Sequence, residues 1–234
     1  MVIDVIILSY AKDELIFKMN NNCINSINNS TTNHQFNIIL VETDVTKNYE
    51  YSHTNVKVIQ PNEEFNYNKF LNIGLKYCTN EWVLISNNDT IYHKHFIDHM
   101  LNANVFDDNL LSMSPMDDNW FRHNIFNKNI DTHYGYNVSY EITGWSIFFN
   151  KLVLEKIGYF DEDFNFWYQD DDYSKNLILH KIKHALITKS KVTHLGSKSH
   201  KFIKDNKYEQ MTNGAKLKFK NKWENFDKNN ISFF

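Results

Sequence analysis

At 234 residues the chain is long enough for one large α/β domain, given roughly 150 residues per domain. Its 42% hydrophobic and 23% charged residues exclude global disorder, and a net charge of −3 excludes the nonspecific nucleic-acid clamping of a strongly basic protein. The 2 cysteines, Cys23 and Cys78, exclude a disulfide framework and a Cys-based zinc site, and no run of ~18 apolar residues is present to span a membrane.

Val2 to Leu8 is a continuous, β-branched apolar run, the pattern of a strand buried on both faces of a parallel sheet. It has no basic n-region and carries Asp4, so it is read as a strand and not as a signal peptide, which predicts a cytoplasmic protein. Lys12 to Ile27 places Leu15, Met19, Cys23 and Ile27 at helical spacing. Phe36 to Val41 predicts a second buried strand ending at Glu42, Asn55 to Ile59 a third, Tyr67 to Tyr77 a helix, and Trp82 to Ser86 a fourth strand ending at Asn87-Asn88-Asp89. That alternation predicts an α/β fold with a Rossmann-like, mostly parallel central sheet flanked by helices. Ligands bind such sheets at the carboxyl ends of the strands, where Tyr10, Glu42 and Asp89 fall.

The second half is less regular. Leu110 to Ser114 and Ile142 to Phe149 are read as strands, and Lys151 to Ile157 as a helix stopped by Gly158. Tyr173 to Leu179 is read as a helix, Ala185 to Thr188 and Val192 to His194 as two short strands, and Lys201 to Trp223 as a lysine-rich helical tail with a solvated surface. No repeat or linker divides the chain, so one domain is expected over 1–234. Every positive charge but Arg122 is lysine, and the codons of the abundant Asn, Lys, Ile, Phe and Tyr are AT-rich. The composition therefore points to an AT-rich genome, such as that of a virus or a parasite, and for a virus the compartment is the host cytoplasm. On that ground Asn-rich stretches are discounted as functional signals, as are the sequons at Asn29 and Asn137.

Four clusters bear chemistry. Asn87-Asn88-Asp89, directly after a buried strand, suits a hard divalent cation that bridges substrate phosphates, or else a plain helix cap. Gln169-Asp170-Asp171-Asp172 sets three mutually repelling carboxylates beside Phe164, Phe166, Trp167 and Tyr168. A carboxylate against that apolar wall gains proton affinity, as a general base needs, while a helix starting near Tyr173 would make Asp170 or Asp171 an N-cap. His194-Leu195-Gly196-Ser197-Lys198-Ser199 offers imidazole, hydroxyl and ammonium groups for a metal and a diphosphate. His95 and His99 have the four-residue spacing of a zinc face, but Phe96 stands where a His-Glu-x-x-His helix has its glutamate, so a solvated face is the reading.

In their order these segments resemble the GT-A glycosyltransferases of family 2, especially the rhamnosyltransferase-like branch, from Val2 to Trp223. Ile7-Leu8-Ser9-Tyr10 looks like the family's opening strand and nucleotide-facing turn, and Ile38 to Glu42 like the strand whose terminal acid contacts the base, with Glu42 where the family usually has Asp. Phe70-Leu71-Asn72-Ile73-Gly74 looks like the Asn-x-Gly helix, and Asn87-Asn88-Asp89 like the D-x-D motif in an N-x-D form. Gly144-Trp145, Gly158-Tyr159-Phe160-Asp161-Glu162 and Trp167-Tyr168-Gln169-Asp170-Asp171-Asp172 look like the glycine strand, the G-x-F-D-E turn and the E-D-x-D motif, with Gln169 in place of the glutamate.

The resemblance implies inverting transfer of a sugar from a nucleotide diphosphate, with UDP favoured, to a hydroxyl of a glycan or other acceptor. It implies Mn²⁺ or Mg²⁺ at Asp89 and His194, donor contacts from Ser9, Tyr10, Glu42, Asn72, Asn87, Asn88, Asp89, Gly144, Trp145, Ser197 and Ser199, and acceptor contacts from Trp167 and Gln169. The catalytic base aligns with Asp170, with Asp171 the alternative if the register slips by one. It divides the domain at about 1–115 for the nucleotide sugar, 116–200 for acceptor and catalysis, and 201–234 for the tail. Two other readings stay open. A nucleotidyltransferase would want a glycine-rich loop after the first strand, where this chain has Ser9-Tyr10-Ala11-Lys12. A non-catalytic sugar- or nucleotide-binding module would bind donor without turnover.

Overall fold

The computed structural model describes residues 1–30, 33–196 and 205–229. In chain order these form β1 (Val2–Ser9), α1 (Glu14–Asn28), β2 (Gln35–Glu42), β3 (Val56–Ile59), α2 (Tyr67–Leu75), β4 (Trp82–Asn87), β5 (Thr90–Tyr92) and α3 (Phe96–Phe106). The second half adds β6 (Leu110–Asp117), a 3-10 turn over Phe121–Ile125, β7 (Thr132–Tyr134), β8 (Ser146–Asn150), α4 (Leu152–Ile157), α5 (Gln169–Leu179), β9 (Lys183–His194) and α6 (Asp205–Asn229).

One sheet carries all nine strands, in the order β3-β2-β1-β4-β8-β6-β9-β5, with β7 also paired to β9. Strands β3, β2, β1 and β4 are mutually parallel, β8 is reversed against both β4 and β6, and β9 again runs parallel to β6. The expected α/β, mostly parallel sheet flanked by helices is therefore the observed fold. Alternation along β1 and β2 explains its three layers. Ile3, Val5, Ile7, Ile38 and Leu40 join a core with Cys23, Ile24 and Ile27 of α1 and Phe96, Ile97 and Met100 of α3. On the other face Ile6, Ile39 and Val41 pack with Phe70, Leu71 and Leu75 of α2 and with Tyr173 and Leu177 of α5.

Several local expectations need correction. α5 starts at Gln169, four residues before Tyr173, so Asp170, Asp171 and Asp172 form its first turn and none of them caps it. The cap is Tyr168, at φ 65, a left-handed conformation that is costly for a bulky residue, and its ring contacts Phe219 of α6. The two short strands expected at 185–194 are one strand, β9, because its partners β6, β7 and β5 prolong it past the polar Lys189. The strand expected from Ile142 begins only at Ser146.

The tail also differs from a solvated helix. Trp223 and Ala215 are buried, Trp223 Nε1 donates to Asp172 Oδ1 at 2.8 Å, and Lys222 Nζ bridges Asp161 Oδ2 at 2.6 Å and Asp172 Oδ1 at 2.8 Å. No helix among the described residues is long and apolar enough to cross a membrane.

α2 lies so close to β1 that a Cβ on Gly74 would sit 2.8 Å from Ile6 Cγ2 and 3.3 Å from Val41 Cγ2. Both neighbours are β-branched and fully buried, so neither can swing away. In Gly74→Ala the helix gains about 1 kcal/mol of propensity, which is outweighed by an overpacking cost of about 1–3 kcal/mol. A net fall in urea midpoint at unchanged slope is expected; a rise would show that the α2–β1 contact has slack.

Candidate active site

The Asn87-Asn88-Asp89 segment is the tight turn from β4 into β5, so the helix-cap reading does not apply. Asp89 is buried, and His194, at the end of β9, reaches it because β5 pairs with β9 through Thr90 and His194. His194 Nε2 stands 3.2 Å from Asp89 Oδ1, and the Leu195 N–H donates to Asp89 O at 2.9 Å. Two further contacts fix the residue, one to its ring and one to its main chain. Trp145 stacks on it with ring centroids 4.8 Å apart at 9°, and Asp117 Oδ2 accepts from the His194 N–H at 2.9 Å. His194 Nε2 is buried with no hydrogen-bond partner among the described residues, so a carboxylate oxygen and an unclaimed imidazole nitrogen face one another. That donor set fits a hard divalent cation that draws its remaining ligands from phosphate and water. No group of three or more such ligands occurs among the described residues, so substrate oxygens would have to complete the shell.

On one side of this pair lies a nucleoside-sized cavity of about 390 Å³ at the carboxyl ends of β2 and β3, lined by Glu42, Lys47, Tyr49, Tyr51, Val58 and Gln60. Glu42 is buried and accepts from Ser9 Oγ at 2.6 Å, the Ala11 N–H at 3.0 Å and the Asp44 N–H at 2.9 Å. Its carboxylate thus ties β1 to the loop after β2 from the cavity wall. Asn20 Nδ2 donates to Ser9 Oγ at 2.6 Å and to Tyr51 OH at 2.7 Å, and Asn88 Nδ2 donates to Asn20 Oδ1 at 2.7 Å. A chain of polar contacts therefore runs from Glu42 to the turn that holds Asp89.

On the other side stands Asp170. The antiparallel register Ser86↔Ser146 sets Gly144 and Trp145 beside the end of β4, and the Asn87 N–H donates to Trp145 O at 2.8 Å. Gly144 leaves the space that Asp170 fills: a Cβ there would collide with the Asp170 carboxylate. Tyr67, Asn68, Gln169 and Tyr173 line the same small cavity. Burial, with the Asp171 charge adding to it, pushes the Asp170 carboxyl up to about 7. The neighbouring acids differ. Asp171 is raised by burial but lies near Lys175, and Asp172 is raised by burial while Lys222 and Trp223 pull it back.

The expected residues thus divide. Glu42 lines the cavity at the ends of β2 and β3, Gly144 and Asp170 line the small cavity at the start of α5, and Ser9, Asn87, Asn88, Asp89, Trp145 and His194 are joined by contacts at the ends of β1, β4, β8 and β9. Tyr10 sits exposed at the β1 end, and Trp167, paired edge-on with Phe166, flanks the start of α5. Asn72 lies elsewhere: its Nδ2 donates to Phe160 O and Glu162 Oε1, and its Oδ1 accepts from the Phe160 N–H, so it clasps α2 to the 160–165 loop. Ser197 and Ser199 lie outside the described residues. His95, at φ 63, precedes α3 and pairs with Asp98, so it is not on one helical face with His99. Asn20, Tyr51, Tyr67 and Asp117 contact these residues but were not expected to. Asp117, at the carboxyl end of β6, obeys the strand-end rule and was detectable by it; the others emerge only from contacts between elements.

Residues 4–158, 155 of the 234, match glycosyl transferase family 2. No curated protein matches. Among solved structures the chain is similar to TarS 1-349 of S. aureus, with 17% identity and a TM-score of 0.55 over 80% of this chain and 58% of that one. It is also similar to GalNAc-T7, solved with UDP, GalNAc and Mn²⁺, with 10% identity and a TM-score of 0.66 over 92% of this chain and 48% of that one. The chain thus spans about half the length of the structures it resembles.

Asp170 makes the pH dependence of stability diagnostic. Its folded carboxyl titrates near 7 against a reference value of 3.8, so the folded state holds the extra proton between about pH 4 and 7 and loses stability as pH rises through that window. Each tenfold gain in proton affinity on folding corresponds to about 1.4 kcal/mol. Asp170→Asn should therefore match wild type in stability near pH 4 and exceed it by a few kcal/mol at about pH 8. Denaturant titration at both pH values checks this; equal stability at the higher pH would mean that the charge is solvated.

Proposed function

The chain belongs to glycosyl transferase family 2, and on that premise we propose that it is an inverting glycosyltransferase. It moves a sugar from a nucleotide diphosphate, UDP for preference, to a hydroxyl of a glycan or similar acceptor. The observation that supports this reading is a pair of unlike acids near Tyr67, whose hydroxyl reaches Asn87 beside Asp89 and which shares a cavity with Asp170. Asp89 faces an imidazole nitrogen, whereas Asp170 is enclosed, unpaired by any cation among the described residues, and raised to about 7.

The nucleoside enters the cavity beside Glu42, Tyr49 and Tyr51, where aromatic walls stack on the base and Lys47 offsets phosphate charge. Asn87 and Asn88 hold the ribose and diphosphate side at the β4–β5 turn. Asp89 and His194 would hold Mn²⁺ or Mg²⁺, and such a cation neutralises the charge of a leaving diphosphate. Asp170 accepts the acceptor's hydroxyl proton as that oxygen forms its bond to C1 of the sugar. The C1–oxygen bond to the diphosphate breaks, its electron pair leaves with the nucleotide, and C1 inverts. A base with a pKa near working pH combines a large ionised fraction with real proton affinity. Trp167 and the surrounding aromatic loop keep water from the sugar.

A thermal-shift screen of UDP-, dTDP- and GDP-sugars with and without Mn²⁺ tests the donor half. Wild type should gain stability, about 2.7 kcal/mol at ~100 times Kd, and Asp89→Ala should lose the metal-dependent part. Asp170→Asn should bind donor normally and transfer at least about 100-fold more slowly, and wild-type kcat/KM should rise with pH to a plateau above about 7. Donor binding without turnover in wild type would instead identify a binding module, and transfer by Asp170→Asn would remove Asp170 as the base.

A further inference from the structure

The chain on either side of Asp170 is gripped by two helices. The segment 160–168, which leads into it, is tied to α2 by Asn66, Asn68 and Asn72, whose amides donate to the carbonyls of Glu162, Asp161 and Phe160. From the other side α6 closes on the same segment with Phe219, Lys222 and Trp223, which share one helical face. The Phe219 ring meets those of Phe164 and Tyr168, with centroids 6.3 and 5.2 Å away. Lys222 Nζ joins Asp161 Oδ2 at 2.6 Å to Asp172 Oδ1 at 2.8 Å, and Trp223 Nε1 donates to that same Asp172 oxygen at 2.8 Å.

These contacts bracket the acid proposed as the base. Tyr168 and Asp172 stand two residues before and two after Asp170, and α6 touches both. The Asp172 N–H donates to Tyr168 O at 2.9 Å, which closes the first turn of α5 around Asp170. A closed helical turn fixes the direction of its side chains, so holding its two ends also aims the Asp170 carboxylate. That aim has little tolerance, because the carboxylate fills the space that Gly144 leaves. Asp172 is itself 3% exposed, and a buried carboxylate that loses its cation is strongly destabilised where it stands. The turn around Asp170 therefore keeps its place only while Lys222 and Trp223 hold Asp172.

We infer that Lys222 and Trp223 of α6 are positioning residues for Asp170: by holding Asp172 they fix the first turn of α5 and keep the Asp170 carboxyl enclosed against Gly144. The catalytic meaning of this clasp rests on the reading of Asp170 as the base. A base displaced by about 1 Å loses up to about 100-fold in rate, so the docked tail belongs to the machinery of transfer although it touches no reacting atom.

The test follows urea midpoints from about pH 4 to about pH 8 in wild type, Lys222→Met, Lys222→Arg and Trp223→Phe, each with and without Asp170→Asn. In wild type the midpoint gained through Asp170→Asn should grow with pH, as the enclosed carboxyl is made to ionise. In Lys222→Met and Trp223→Phe water reaches the loosened turn, and that pH-dependent gain should fall by about half or more; Lys222→Arg should keep it. Asp171 and Asp172 are present in both members of each pair, so their titration cancels. Tyr67 and Tyr173, which line the cavity, stay neutral throughout, because burial raises both phenols. A loss of stability that is equal with and without Asp170→Asn at every pH would make the clasp a plain support of the fold and overturn the inference. So would a wild-type pair with no pH-dependent gain. UDP with Mn²⁺, titrated calorimetrically, should bind wild type and Lys222→Met within about twofold, since Lys222 is tied to the base side of the site. If wild type binds no UDP, the nucleotide-sugar reading fails and the catalytic meaning of the clasp with it, while the paired midpoints still decide whether α6 holds Asp170.

Discussion

The antiparallel pairing of β8 against β4 is the constraint on which the candidate site depends. In a wholly parallel sheet the carboxyl end of β4 would have beside it only other strand ends and their outgoing loops. Because β8 is reversed, its incoming residues Gly144 and Trp145 lie next to Asn87, fixed by the Asn87 N–H to Trp145 O bond. Each of the two then organises one side of the crevice. Trp145 stacks on His194 and holds it at Asp89, and Gly144 admits the Asp170 carboxylate. A metal-capable pair and a base-capable acid thus share one strand junction, although Asp89, Gly144, Asp170 and His194 are widely separated in the chain.

The acids around that junction differ by environment, not by type. Asp172 is buried but held between Lys222 and Trp223 of α6, a structural role that docks the tail on the first turn of α5. Asp89 has an imidazole opposite it. Asp170 has neither, and burial raises its proton affinity accordingly. Separate environments for like groups are how one site supplies both charge stabilisation and proton transfer at neutral pH.

Asparagine shows how far composition misleads. Its abundance was a reason to discount it, yet buried and half-buried asparagines carry many of the long-range polar contacts. Asn20 and Asn88 link the cavity beside Glu42 to the β4–β5 turn, and Asn66, Asn68 and Asn72 each donate to a backbone carbonyl of the 160–165 loop. Asn37 and Asn80 satisfy the buried Asp4. An amide carries both a donor and an acceptor without charge, so it can tie loops to elements in the interior at little desolvation cost. Composition states how much asparagine there is; the fold decides what it does.

The sequence by itself determined the central strands and their flanking helices, because continuous apolar runs and 3.6-residue stripes are local signals of burial. It also singled out Glu42, Asp89 and Asp170, through the rule of strand ends and the order of short motifs. It did not reveal β5, β7 or the continuity of β9, whose extent comes from partners distant in the chain. Nor did it reveal that α5 begins at Gln169, that α6 clasps it, or that Tyr67 and Asn68 face Asp170. Those features are contacts between segments, and their energies arise only when backbone register and side-chain burial are fixed together. Local pattern states what each segment prefers, and tertiary packing decides which groups meet, which stay charged and which are left to bond a ligand.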